Sequence, residues 1–137
     1  MRLLIVDDNP KNAKLLEAIL IPYGDCESVE GGKEAICAFE KAWSDWRPFS
    51  FIFLDIMMPE MGGEHVLANI RKVEQNKNIN HHHRAKIIMV SAHSDEELFR
   101  GCVQCGCDDF IVKPFIKETI IKKLIKHGLN GNLRKQI

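Results

Sequence analysis

The apolar run Phe51-Ile52-Phe53-Leu54 ends on Asp55 and opens into Ile56-Met57-Met58-Pro59-Glu60-Met61-Gly62-Gly63. A carboxylate that closes a buried strand and leads into a Pro/Gly-rich loop sits where α/β folds bind ligands. Three further apolar runs end on polar groups in the same manner. Leu3-Leu4-Ile5-Val6 runs into Asp7-Asp8, Ile87-Ile88-Met89-Val90 into Ser91-Ala92, and Phe110-Ile111-Val112 into Lys113-Pro114. In chain order the strand ends therefore carry an acid pair, an acid, a hydroxyl and a lysine.

Helical patterns separate these runs, and strand–helix alternation predicts a parallel sheet. Asn9-Pro10 reads as an N-cap with Pro at the first helical position, opening a helix to about Ile21 with Leu15, Leu16, Ile19 and Leu20 on one face. A short strand is expected near Cys26 to Val29. A second helix follows Gly31-Gly32 through Ala35, Ile36, Phe39 and Trp43, and a third carries Val66, Leu67, Ile70 and Val73. A fourth is expected from Asp95 to about Cys105 on Leu98, Phe99, Cys102 and Val103. The fifth, Ile116 to Lys126, lines up Ile116, Ile120, Ile121, Leu124 and Ile125. Residues 129–137 read as a short polar tail after a single domain spanning 1–128.

With 19 basic and 19 acidic residues the formal charge is zero, so the basic footprint of a nucleic-acid binder is missing. No stretch reaches the ~20 apolar residues of a membrane span, and the start does not read as a signal peptide. Five cysteines without an export signal fit reduced thiols and a cytoplasmic setting.

Taken together, Val6-Asp7-Asp8-Asn9, Leu54-Asp55-Ile56-Met57-Met58-Pro59, Val90-Ser91-Ala92 and Asp109-Phe110-Ile111-Val112-Lys113-Pro114 resemble the receiver domain of two-component response regulators. The resemblance runs from Arg2 to about Gly128. It implies a flavodoxin-like doubly wound sheet of five parallel strands, order 2-1-3-4-5, with five helices. All four polar strand ends would then converge on one crevice.

Crowded carboxylates repel one another unless a cation offsets them, and a hard oxygen site suits Mg²⁺, or Mn²⁺ in its place. The resemblance implies that Asp8 and Asp55 ligate the metal, that Met57 contributes its backbone carbonyl, and that Asp7 acts through bound water. It further implies that Asp55 attacks a phosphoryl group and becomes an aspartyl phosphate, with Lys113 offsetting charge and the Ser91 hydroxyl bonding the transferred oxygens. The donor would be a phosphohistidine on a sensor histidine kinase or a histidine phosphotransfer protein. Ser91 and Phe110 would form the switch, moving the face made by the fourth helix, fifth strand and fifth helix towards a downstream protein. The family pattern also implies a cis Lys113-Pro114 bond. Such a module is a phosphoacceptor rather than an enzyme with a substrate pocket, monomeric or dimerising on phosphorylation, with no nucleic acid or membrane as direct partner.

Rival readings attach to particular residues. Cys102, Cys105 and Cys107, with His81-His82-His83 and His93, have the makings of a zinc site. However, Cys105-Gly106-Cys107-Asp108-Asp109-Phe110 fits the family's Ala-Gly-Ala-Asp-Asp-Phe turn, which makes both cysteines small packed residues. Glu74 to Lys86 reads as a long polar, flexible connection whose histidines could take a transition metal adventitiously. Met57 and His93, two residues beyond Asp55 and Ser91, are positions that influence water attack on the phosphoryl group in this family. Lys117, Lys122, Lys123 and Lys126 read as a solvated helix face. A Mg²⁺-dependent small-molecule phosphatase of the same fold is the alternative enzyme reading. A receiver fragment of a hybrid kinase or multidomain regulator is the alternative setting, although Met1 directly before the first strand favours a natural start.

Overall fold

The computed structural model describes residues 1–92 and 96–128. His93, Asp95 and the tail 129–137, for which expectations are given above, lie outside them. Chain order is β1 (Arg2–Val6), α1 (Pro10–Leu20), β2 (Asp25–Val29), α2 (Gly32–Ser44), β3 (Phe51–Asp55), α3 (Gly63–Asn76), β4 (Lys86–Ser91), α4 (Glu96–Gln104), β5 (Asp109–Val112) and α5 (Lys117–Lys126). Short 3₁₀ turns occupy Ile21–Tyr23 and His81–His83. All the strand pairs are parallel, and the order β2-β1-β3-β4-β5 is the expected one.

Alternation along the strands builds two cores, one on each side of the sheet. Leu4, Val6, Ile52, Leu54, Ile87 and Met89 face one side and pack with Phe39, Val66, Ile70 and Cys102 of α2, α3 and α4. Leu3, Ile5, Phe53, Ile88, Val90 and Ile111 face the other and meet Leu16, Leu20, Ile120 and Leu124 of α1 and α5. Because β3 is covered on both faces, all five of its residues are buried, Asp55 included. No helix among the described residues is long and apolar enough to cross a membrane.

Several sequence expectations are corrected. Leu15, Val103 and Ile116, which the periodicity sets on apolar helix faces, are 48%, 57% and 57% exposed. In α1 the buried stripe is only Leu16 and Leu20, and the nine-residue α4 buries only Phe99 and Cys102. Ile116 is the N-cap of α5 and precedes its packed turns. The connection after α3 is shorter than expected because the helix continues to Asn76, and Glu74 is a fully buried helical residue. The three histidines form an ordered turn capped by the Asn80 side chain, which accepts the His82 N–H at 3.0 Å.

Candidate functional site

The site is assembled at the C-terminal ends of the strands, on either side of the point where strand order reverses between β1 and β3. Asp7 follows β1 directly and is 4% exposed; its Oδ1 accepts the Asn9 N–H at 2.9 Å. Asn9 in turn caps α1, accepting the Lys11 and Asn12 N–H groups at 2.9 and 3.4 Å. The acid pair and the helix start thus form one locally tied unit. Asp55 ends β3, and the loop after it returns tightly. The Gly63 N–H donates to the Ile56 carbonyl at 2.9 Å, and a Cβ on Gly63 would collide with the Asp55 carbonyl oxygen. Gly63 is therefore what lets α3 begin against the Asp55 loop.

Carboxylate oxygens of Asp7, Asp8 and Asp55 lie within 4.8 Å of one another, with Asp8 exposed and the other two buried. The Lys113 Nζ reaches in from the loop after β5, 3.3 Å from Asp7 Oδ2 and 3.7 Å from Asp55 Oδ2. The Met57 N–H donates to Asp55 Oδ1 at 3.4 Å, while its side chain is 62% exposed. Burial pushes the Asp55 carboxyl up to about 6; the neighbouring Asp7 and Asp8 charges add to this, whereas Lys113 and the Met57 N–H work against it. Three carboxylates against one ammonium leave a local excess of negative charge. An all-oxygen donor set of that charge fits a hard divalent cation, and Mg²⁺ is the fitting ion.

Ser91, at the end of β4, is fully buried, and its carbonyl accepts the Lys113 N–H at 2.7 Å. The Lys113-Pro114 bond is cis, as the resemblance implies. Phe110 is half-buried and stacks on Phe99 of α4, ring centroids 3.8 Å apart and planes 10° apart. Of the expected site residues, Asp7, Asp8, Asp55 and Lys113 therefore converge, the Met57 backbone touches Asp55, and Ser91 stands next along the strand ends.

The zinc reading finds no geometric support: the acidic triad is the one metal-capable cluster among the described residues. Cys102 and Cys107 are buried in the core as small packed residues, but Cys105 is exposed, contrary to expectation, because it lies in the turn after α4.

Two polar clusters escaped the sequence reading. Arg71 donates to Glu74 (2.7 Å), Ala85 O (2.8 Å), Gly106 O (2.9 Å) and Asp108 (2.8 Å). At the start of β5, the buried Asp109 takes Lys123 at 2.8 Å, His127 at 2.8 Å and Lys126 at 3.4 Å. Lys123 and Lys126 of the basic α5 face are thus tied to β5 rather than simply solvated. An i,i+3 Arg/Glu pair was a visible signal for the first cluster; the second needed the fold.

A doubly wound five-stranded sheet with an acid triad and a lysine at its switch point defines a flavodoxin-like α/β protein with a Mg²⁺-fitting centre. Residues 3–125 match the response regulator receiver domain, and the chain belongs to that family. It is 38% identical over 133 residues to hybrid signal transduction histidine kinase L of Dictyostelium discoideum, covering 96% of this chain but 7% of that protein. It is 30% identical to the chemotaxis protein CheY of Bacillus subtilis, covering 91% of this chain and 95% of that one. Among solved structures, the receiver domain of the histidine kinase CKI1 from Arabidopsis thaliana, complexed with Mg²⁺ and BeF₃⁻, superimposes with a TM-score of 0.76 at 30% identity, over 93% of this chain and 90% of that one.

Proposed function

We propose that this receiver accepts a phosphoryl group on Asp55, and that a phosphohistidine on a sensor kinase or phosphotransfer protein is the donor. The observation that carries the reading is the Asp55 carboxylate, held at the end of β3 among Asp7, Asp8 and the Lys113 ammonium. One Asp55 oxygen attacks phosphorus in line as the phosphorus–nitrogen bond to the donor histidine breaks, and the departing imidazole takes up a proton. Asp8, Asp55 and the Met57 carbonyl would hold Mg²⁺ directly, with Asp7 acting through water. The bound ion supplies positive charge against the carboxylates and the phosphoryl oxygens. Lys113 would offset further charge, and the Ser91 hydroxyl would bond a transferred oxygen. The module spans 1–128, with 129–137 as a tail, and works in the cytosol with its thiols reduced.

The CKI1 receiver with Mg²⁺ and BeF₃⁻ supports the metal and the phosphoryl mimic. Because the chain spans 7–13% of the length of the hybrid and sensor kinases it matches, a setting inside a larger kinase stands beside that of a free regulator. Either way the output is the surface of α4, β5 and α5. The test is to incubate the protein with Mg²⁺ and acetyl phosphate and follow intact mass. One added phosphoryl group per chain, lost slowly and not acquired by Asp55→Asn, is the expected result. Full labelling of Asp55→Asn at the wild-type rate, or many turnovers of a small phosphoester as in a phosphatase, would overturn it.

A further inference from the structure

At the pole opposite Asp55, the histidine turn closes one side of a cavity of about 690 Å³. His82, His83 and Arg84 form one wall, Lys86 stands at the start of β4, and His127 closes the far side from the end of α5. Met1 and Pro48, backed by the nearly buried Phe49 and Phe51, supply an apolar floor. Among the described residues no carboxylate lines this cavity. His127 contacts an acid, Asp109, at 2.8 Å, and that carboxylate is already bound to Lys123 and Lys126; Arg84 and Lys86 also border a neighbouring cavity that holds Asp108.

Arg84 and Lys86 are half-buried neighbours, and among the described residues neither has a carboxylate partner within 4.0 Å. Arg84 spends its Nε on the Ile79 carbonyl at 3.3 Å, which orients the guanidinium without neutralising it. The wall is also fixed. Glu74 accepts the Ala85 N–H at 2.8 Å and its carbonyl accepts the Ile79 N–H at 3.0 Å, so both ends of the turn are anchored to α3. The imidazoles do not converge as metal ligands, since the acidic triad is the one such cluster among the described residues.

We infer that this cavity binds a small organic phosphate bearing an apolar ring, the chemical class of the nucleotides, with the phosphate on Arg84 and Lys86 and the ring over Met1 and Pro48. The site is independent of Asp55. Titration of ATP into the protein in EDTA, followed by calorimetry and amide NMR shifts, tests it, with inorganic phosphate as the second probe. ATP should bind saturably, more tightly than phosphate, and equally well to wild type and Asp55→Asn, with shifts at residues 82–86. Arg84→Gln/Lys86→Gln should weaken it about tenfold or more, about 1.4 kcal/mol. Should that double variant fail to fold, His82→Gln/His83→Gln on the exposed turn should weaken binding as well. No saturation at millimolar ATP, loss of binding in Asp55→Asn, phosphate binding as tightly as ATP, or indifference to the wall substitutions would each overturn the assignment.

Discussion

The Glu74 carboxylate, with none of its surface exposed, lies 2.7 Å from the Arg71 guanidinium one turn earlier on α3. Its second oxygen accepts the Ala85 N–H, and Arg71 continues to Ala85 O, Gly106 O and Asp108. One ion pair therefore ties α3 to the start of β4 and to the turn before β5. Removing one partner of a buried pair strands the other charge. Glu74→Ala should cost on the order of 3–5 kcal/mol in urea unfolding. Glu74→Gln, which keeps an acceptor for Ala85, should cost less. A Glu74→Ala protein within about 1 kcal/mol of wild type would show the network to be dispensable.

The strands and their polar ends were legible in the sequence because both rest on local pattern, whereas strand order and the meeting of those ends followed from the family resemblance. Apolar runs such as Phe51 to Leu54 are buried on both faces, and each polar strand end is the next residue in the chain. Pairings across the fold were not legible. Asp109 meets Lys123 only because α5 returns along β5, and Glu74 sits inside a helix whose end carries no glycine or proline. Polar residues Gln75 to Lys77 made that last turn look like a loop. Val103 and Leu15 failed for another reason: an apolar residue on a short helix is not obliged to face the core.

The elevated Asp55 carboxyl makes a signed statement about pH. Its folded value, about 6 against the ordinary 3.8, means the native state keeps the proton longer than the unfolded chain. The stability this group contributes is complete below about 4 and falls as pH climbs through 6. In EDTA at pH 7, Asp55→Asn should therefore be more stable than wild type, by on the order of 2 kcal/mol. The advantage should shrink towards pH 4, and Mg²⁺ should raise the wild-type midpoint by mass action. Thermal melts from pH 4 to 8 read all three effects. An Asp55→Asn protein less stable than wild type at pH 7 in EDTA would contradict the electrostatics described.

Asp109 carries the opposite sign. Burial pushes its carboxyl up, but hydrogen bonds from Lys123, His127 and the Phe110 N–H, with the Lys123 charge, bring it down to about 2. Its contribution is present above the ordinary 3.8 and is lost as pH falls towards 2. Asp109→Asn should destabilise the protein at pH 7 by on the order of 2 kcal/mol, with the gap closing as acid is added below pH 4. A gap that stays constant from pH 7 to 3 would assign the loss to packing instead.

Burial pushes the Cys107 thiol up to about 12 and the Cys102 and Cys26 thiols to about 11. Cys37 and Cys105 are exposed. Since the thiolate is the nucleophile, iodoacetamide at pH 8 should label Cys37 and Cys105 first and reach the other three only on unfolding. Peptide mapping after a short pulse resolves this. Early labelling of Cys102 or Cys107 would mean that α4 opens readily in the native state. A zinc-selective chelator, with Mg²⁺ held constant, should leave the melting temperature unchanged, as no thiol cluster among the described residues is arranged for zinc.

The stacked rings of Phe99 and Phe110 join α4 to β5 three residues before Lys113, whose N–H bonds the Ser91 carbonyl at 2.7 Å. In the proposed reading, occupancy at Asp55 draws on Lys113 and Ser91 together, and its effect would reach Phe110 through a short strand and α4 through the stack. Fluoroberyllate with Mg²⁺ should therefore alter amide exchange in residues 96–104 and 109–126 as well as in the Asp55 loop. A coupling of only ~1–3 kcal/mol is enough to change partner affinity several-fold or more. Phe99→Ala should keep fluoroberyllate binding, because the charged groups of the acidic centre are Asp7, Asp8, Asp55 and Lys113, yet blunt the exchange response of α4. If the response of α4 survives Phe99→Ala unchanged, the stack is not the link. If exchange changes stay within the loops of Asp7, Asp55 and Lys113, this receiver signals through another face.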